Sequence, residues 1–228
     1  MINLLKAEFY KLFHSQSFWI LEGFSFLLSG VLLLDSKSLV ENFFNAVLYN
    51  TPLLYFLAIV FAALFVGNDF GERTLHSYIY TGHKRSFVLF AKAFAYINAC
   101  IIFLLLPVLF YGFMGVLKFK LVACINGNDV MTILIAAVAM SLLPFFFAVI
   151  FRDAGRSLAI PMAIFFLMIF LMNGNYAQQV GILLPMGQLR FIALQQDISR
   201  LPMLTADILW IFVLYFGAVF SFNRSDLK

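Results

Sequence analysis

The chain has 228 residues, of which 64% are hydrophobic, 18% aromatic and 11% charged, with a mean hydropathy of +0.98 and a formal net charge of +4. A soluble domain is about 45–50% apolar and 25% charged, so a water-soluble globule is excluded and the bilayer is the expected solvent. The positive charge does not form a nucleic-acid surface, because Lys and Arg fall singly or in pairs between apolar runs.

Taken in chain order, Met1–Gln16 comes first. Ile2, Leu5, Phe9, Leu12 and Phe13 recur there at helical spacing, which predicts either a helix lying in the membrane interface or the end of the first span. A span needs about 20 residues. Runs of that kind are expected near Phe18–Leu34, Leu48–Val66, Phe87–Met114, Val130–Phe151, Ser157–Met172 and Asp207–Phe222, with Pro144 and Pro161 inside the fourth and fifth. The first run is followed by Asp35-Ser36-Lys37 without a small-residue cleavage pattern, so it reads as a retained anchor. Cys100 lies in an apolar run and Cys124 in a polar loop, which gives no disulfide framework.

With the N-terminus in the cytoplasm, Lys6, Lys11, Arg73, Lys84, Arg85, Lys92, Arg152, Arg156, Arg224 and Lys228 fall inside and Lys37, Lys118, Lys120, Arg190 and Arg200 outside. That excess places both termini in the cytosol. No internal repeat or soluble appendage interrupts the chain, so residues 1–228 read as one all-α transmembrane domain.

Between the second and third spans, Gly67–Lys92 reads GNDFGERTLHSYIYTGHKRSFVLFAK. Asp69 is expected to cap a helix starting at Phe70, with Glu72 in its first turn, an apolar stripe of Leu75, Tyr78 and Ile79, and Gly82 as its end. Such a helix is either a lever that a soluble motor could grip or an ordinary interfacial connector. The segment 173–206 contains Gly181-Ile182-Leu183-Leu184-Pro185-Met186-Gly187, apolar but too short to span. It is read as a re-entrant pair of short helices or as a surface helix.

Nothing in the chain points to catalysis. There is no G-x-x-x-x-G-K-[ST] to cradle a nucleotide, and His14, His76 and His83 show no metal-ligand spacing. Ionisable groups inside spans are costly unless paired or hydrated, which singles out Glu22. It is expected to snorkel, to pair with a base such as Lys92, or to line a conduit. Asn98 in the third span reads as a helix-packing hydrogen bonder. Two functional classes remain open on this ground, a permease energised by a separate ATPase and an ion-gradient transporter or channel, with a membrane enzyme third.

The string D-F-x-x-R-T-L-x-x-x-I-x-x-G-x-x-R, carried by Asp69, Phe70, Arg73, Thr74, Leu75, Ile79, Gly82 and Arg85, resembles the first cytoplasmic loop of ABC-2 type permeases. The likeness is greatest to the bacterial branch that exports, or protects against, membrane-active peptides. Gly71 and Arg73 depart from the E-x-G-T form common in the wider family. The resemblance implies six spans in a bacterial cytoplasmic membrane and a coupling helix within residues 67–86. It implies re-entrant helices around Gly181, Pro185 and Gly187 that close the outer end. It further implies a second permease subunit, identical or homologous, and two cytosolic ATPases that carry the ATP and Mg, this chain having no cofactor or catalytic role of its own.

Overall fold

The computed structural model describes residues 1–36, 42–72, 74–119, 127–174, 177–196 and 198–224. Arg73, Lys37, Lys120, Cys124 and Lys228 lie outside the described residues. The described residues are all-helical, in the order α1 (Ile2–His14), α2 (Gln16–Ser36), α3 (Phe43–Ala62), a π-helical turn (Ala63–Gly67), α4 (Asn68–Gly71), α5 (Thr74–Tyr80), α6 (Arg85–Phe119), α7 (Gly127–Phe151), α8 (Ala154–Met172), α9 (Ala177–Leu183), α10 (Pro185–Ala193) and α11 (Arg200–Asn223). Among them, six stretches are long and apolar enough to cross a membrane: Gln16–Leu34, Phe43–Gly71, Arg85–Leu117, Gly127–Phe151, Ala154–Met172 and Arg200–Asn223. The protein is a helical membrane protein.

The third and seventh helices form the centre. In their apolar windows 72% and 67% of residues are buried, against 22% in α8 and α11. Helices in lipid gain little from hydrophobicity against one another and associate through close packing of small residues and buried hydrogen bonds. Ala46, Ala58 and Ala62 on α3 and Ala136, Ala137 and Ala148 on α7 supply that packing. Tyr96 on α6 donates across to the Ala58 carbonyl at 2.8 Å, and Tyr111 donates to Phe26 of α2 at 3.0 Å. At Gly217 a Cβ would lie 2.7 Å from the Phe146 ring, so the absent side chain is what lets α11 close on α7. Outward, Phe212, Phe216 and Phe220 recur every fourth residue and are each more than half exposed. That lipid-facing stripe explains how so many phenylalanines fit one short chain.

Several span boundaries shift from the sequence expectation, the second span starting at Phe43 instead of Leu48, and two of the shifts have a local cause. The second span does not stop at Val66: Gly67 stays helical, and its missing Cβ allows approach to the Ala154 backbone, where a methyl would sit 3.1 Å from Cα. The helical path therefore runs on to Gly71. The last span begins at Arg200, not near Asp207, because Pro202 falls in the first helical turn, where its missing N–H costs nothing. Asp207 is thereby two turns inside the helix and fully buried.

The short helix α5 ends in a Schellman arrangement. Gly82, at φ +92°, donates to Ile79 at 3.0 Å and His83 to Tyr78 at 3.3 Å, a conformation glycine adopts without a Cβ clash. Arg85 donates to the Asn223 carbonyl at 3.1 Å. The end of α11, the start of α6, the α7–α8 corner and α1 all gather at one end of the bundle.

Candidate functional site

At that end the interior holds a charge cluster built by three elements. The α1 face buried against α6 is Leu4, Glu8 and Leu12 at i, i+4 spacing, so Ile2 and Phe13, read as part of the apolar stripe, are turned outward and exposed. Glu8 projects to Lys92, whose Nζ donates to Glu8 Oε2 at 2.9 Å. The same ammonium donates to one carboxylate oxygen of Asp69, and Lys11, one turn after Glu8, donates to the other. Lys92 Nζ also lies 3.6 Å from the centroid of the Phe65 ring, a contact worth more in a desolvated setting. Lys92 is 0% exposed, Glu8 2% and Asp69 2%. Two acids and two bases leave no net charge, which is what makes their burial tolerable.

This arrangement corrects three expectations. Asp69 does not cap a helix at Phe70. It sits inside the continuous helical path, and its carboxylate is occupied by Lys92 and Lys11 because a fully buried ammonium requires an anion. Thr74 opens α5 instead, its hydroxyl donating to the Asp69 carbonyl at 3.2 Å. Glu22 does not pair with Lys92. It is only 6% exposed, and both carboxylate oxygens lack a protein partner among the described residues. The Leu75–Tyr78–Ile79 stripe is not a free face either: Leu75 is 0% exposed, and Tyr78 and Ile79 pack half-buried on the core.

The remaining connector residues divide by direction. Phe70 packs edge-on against Phe222 of α11 at 6.0 Å, while Glu72 and Gly82 are exposed and Tyr80 is 81% exposed. Burial and the Glu8 charge hold the Tyr78 hydroxyl above its ordinary range. For Lys11, burial lowers the pKa, but the bond to Asp69 and the charges of Asp69, Glu8 and Glu72 outweigh it and leave the group above 10.5. Asn98 donates to Phe94 of its own helix at 2.8 Å, so it does not bridge helices.

The opposite end carries a second polar set. Pro185 starts α10, and Gly187 lies so close to Gly181 that a Cβ there would be 2.4 Å from the Gly181 Cα. That approach folds α9 and α10 against each other. Gln188, fully buried, donates to Asp207 Oδ1 at 2.9 Å and to the Ile182 carbonyl at 3.0 Å. Arg200 pairs with Asp129 at 2.8 Å. Among the described residues no three His, Cys, Asp or Glu side chains converge as a metal site.

Sequence reasoning missed Glu8, Lys11 as a partner, Gln188 and Asp207. Glu8 had a signal, an acid at the i+4 position of the Leu4–Leu12 row, whereas Asp207 looked like a span boundary. No protein-family model matches the chain, and no curated protein matches it.

Proposed function

We propose that the chain is the membrane-spanning subunit of an ATP-driven exporter whose ATPase is a separate polypeptide, moving an amphipathic or hydrophobic substrate such as a membrane-active peptide. The observation that carries this reading is the connector between α3 and α6, a short helix held rigidly by Asp69 to Lys92 and Lys11. A lever must transmit force without rotating, and its base is fixed here by buried charge. The resemblance of residues 69–85 to the ABC-2 loop supports the same assignment. In this reading α5 is the coupling helix, on the cytosolic side with both termini. Tyr80, exposed and aromatic, is the anchor offered to the ATPase. The α9–α10 pair around Gly181, Pro185 and Gly187 is the outer closure, and a second permease copy completes the pathway.

A second reading, an ion-gradient transporter, draws on Glu22, a buried carboxyl without a partner in the first span. Co-expression with an ATPase encoded beside this chain separates the two. The exporter reading expects a stable complex whose hydrolysis falls when Tyr80 becomes Ala, and no hydrolysis by this chain alone. Failure to capture any nucleotide-binding partner, together with gradient-driven uptake abolished by Glu22→Gln, would favour the second.

A further inference from the structure

At the end opposite α1, a half-enclosed cavity of about 200 Å³ opens where α3, α8, α9 and α10 meet. A cavity of about 150 Å³ already admits benzene, so this one holds a small headgroup. Met172, Phe191 and Leu194 make its apolar wall, and the close Gly181–Gly187 approach forms its floor. Among the described residues Arg190 is the one cation on that lining, and no carboxylate lines it.

The state of this arginine is what points to a ligand. Its guanidinium carbon lies 5.2 Å from the Tyr49 ring centroid, so one face is covered by the aromatic ring. Nη1 reaches Asn173 Oδ1 only at 3.5 Å, and Nε is shielded from solvent with no partner among the described residues. Arg200, at the same end, is by contrast bonded to Asp129 at 2.8 Å. A shielded guanidinium N–H is costly to leave unpaired, and a ring-stacked guanidinium keeps its in-plane donors for a two-oxygen acceptor. Tyr49 lies two turns into α3 and Met172 ends α8, so the cavity sits at the edge of the apolar layer, where lipid phosphates lie.

We propose that this cavity binds a phosphate oxyanion, supplied by an anionic phospholipid headgroup, with Arg190 as the fork, Tyr49 as the stacking plate and the Met172–Phe191–Leu194 wall taking the glycerol stem. The site does not depend on the transport reading.

The test is equilibrium binding to the purified full chain in a neutral detergent, with short-chain phosphatidylglycerol, short-chain phosphatidylcholine and inorganic phosphate as probes. Saturable phosphatidylglycerol binding is expected, weakened roughly 10- to 100-fold by Arg190→Gln. Arg190→Lys, which keeps the charge but loses the fork, should weaken it several-fold and guards against misfolding of the Gln variant. Arg156→Gln, exposed at the opposite end, should change nothing. Competition by inorganic phosphate would show that the free anion is also a ligand; its failure to compete would show that the stem is required. Either result upholds an oxyanion site. Binding of phosphatidylglycerol no tighter than phosphatidylcholine, or unchanged by both Arg190 variants, would overturn it.

Discussion

Replacing Lys92 by Met tests whether the buried charge cluster fixes α1 to the connector. The substitution keeps most of the unbranched side chain and removes the ammonium, leaving Glu8 without its cation and Asp69 with only Lys11. Removing one member of a buried pair costs about 3–5 kcal/mol, because the uncompensated partner stays desolvated. At the 2–4 °C per kcal/mol typical of chains this size, the melting temperature should fall by roughly 6–20 °C. Lys11→Met is the internal comparison: its side chain is 39% exposed, the regime in which ion pairs contribute about 0–1 kcal/mol. Adding Glu8→Gln and Asp69→Asn to Lys92→Met should restore much of the loss, since a neutral interior needs no counter-ion. Thermal unfolding in detergent gives the stability. Thiol labelling of Leu4→Cys, at a position only 3% exposed in the docked helix, reports release of α1. Melting of Lys92→Met within about 2 °C of the parent, with that thiol still protected, would refute the reasoning.

Other outcomes follow from the same geometry. Gly187→Ala forces a methyl onto the Gly181 backbone and should cost about 1–3 kcal/mol, whereas Gly23→Ala, with nothing within 4 Å, should be neutral or stabilise by up to ~1 kcal/mol; both are read by thermal unfolding. Gln188→Leu leaves the Asp207 carboxyl and the Ile182 carbonyl without their donor and should destabilise by about 1–3 kcal/mol, read the same way. Because the Lys11 pKa is raised above 10.5, its contribution is present below that value and lost as pH rises past it. Protection of Leu4→Cys should therefore hold from neutral pH to about 10 and weaken beyond in the parent more than in Lys11→Met. Membrane-impermeant labelling should reach His83→Cys and Asn128→Cys from opposite sides; reaction of both from one side would contradict six crossings.

The legible part of this protein was the part governed by length and composition. Uninterrupted apolar runs of about 20 residues have one stable solution in hydrocarbon, a helix, so six spans could be located from the sequence, although the second starts at Phe43 and the last at Arg200, earlier than expected. Gly82 was legible too, since a glycine after an amphipathic turn supplies the positive φ that a helix end requires.

Which polar groups meet was not legible, because pairing across helices depends on rotation about each helix axis, and periodicity fixes that only for one-sided helices. The third helix is buried nearly all round and offers no such phase, so nothing in Asp69 announced that it faces Lys92 and Lys11, and a residue well placed to cap a helix became a buried counter-ion. Asp207 illustrates the converse, since it looked like a span boundary until packing put it inside α11. Composition and run length alone make the chain a multi-span helical membrane protein. That Glu8, Lys11, Asp69 and Lys92 form one neutral cluster emerges from packing in three dimensions, because residues up to 84 positions apart meet only when helices dock and a buried charge needs a partner brought to it.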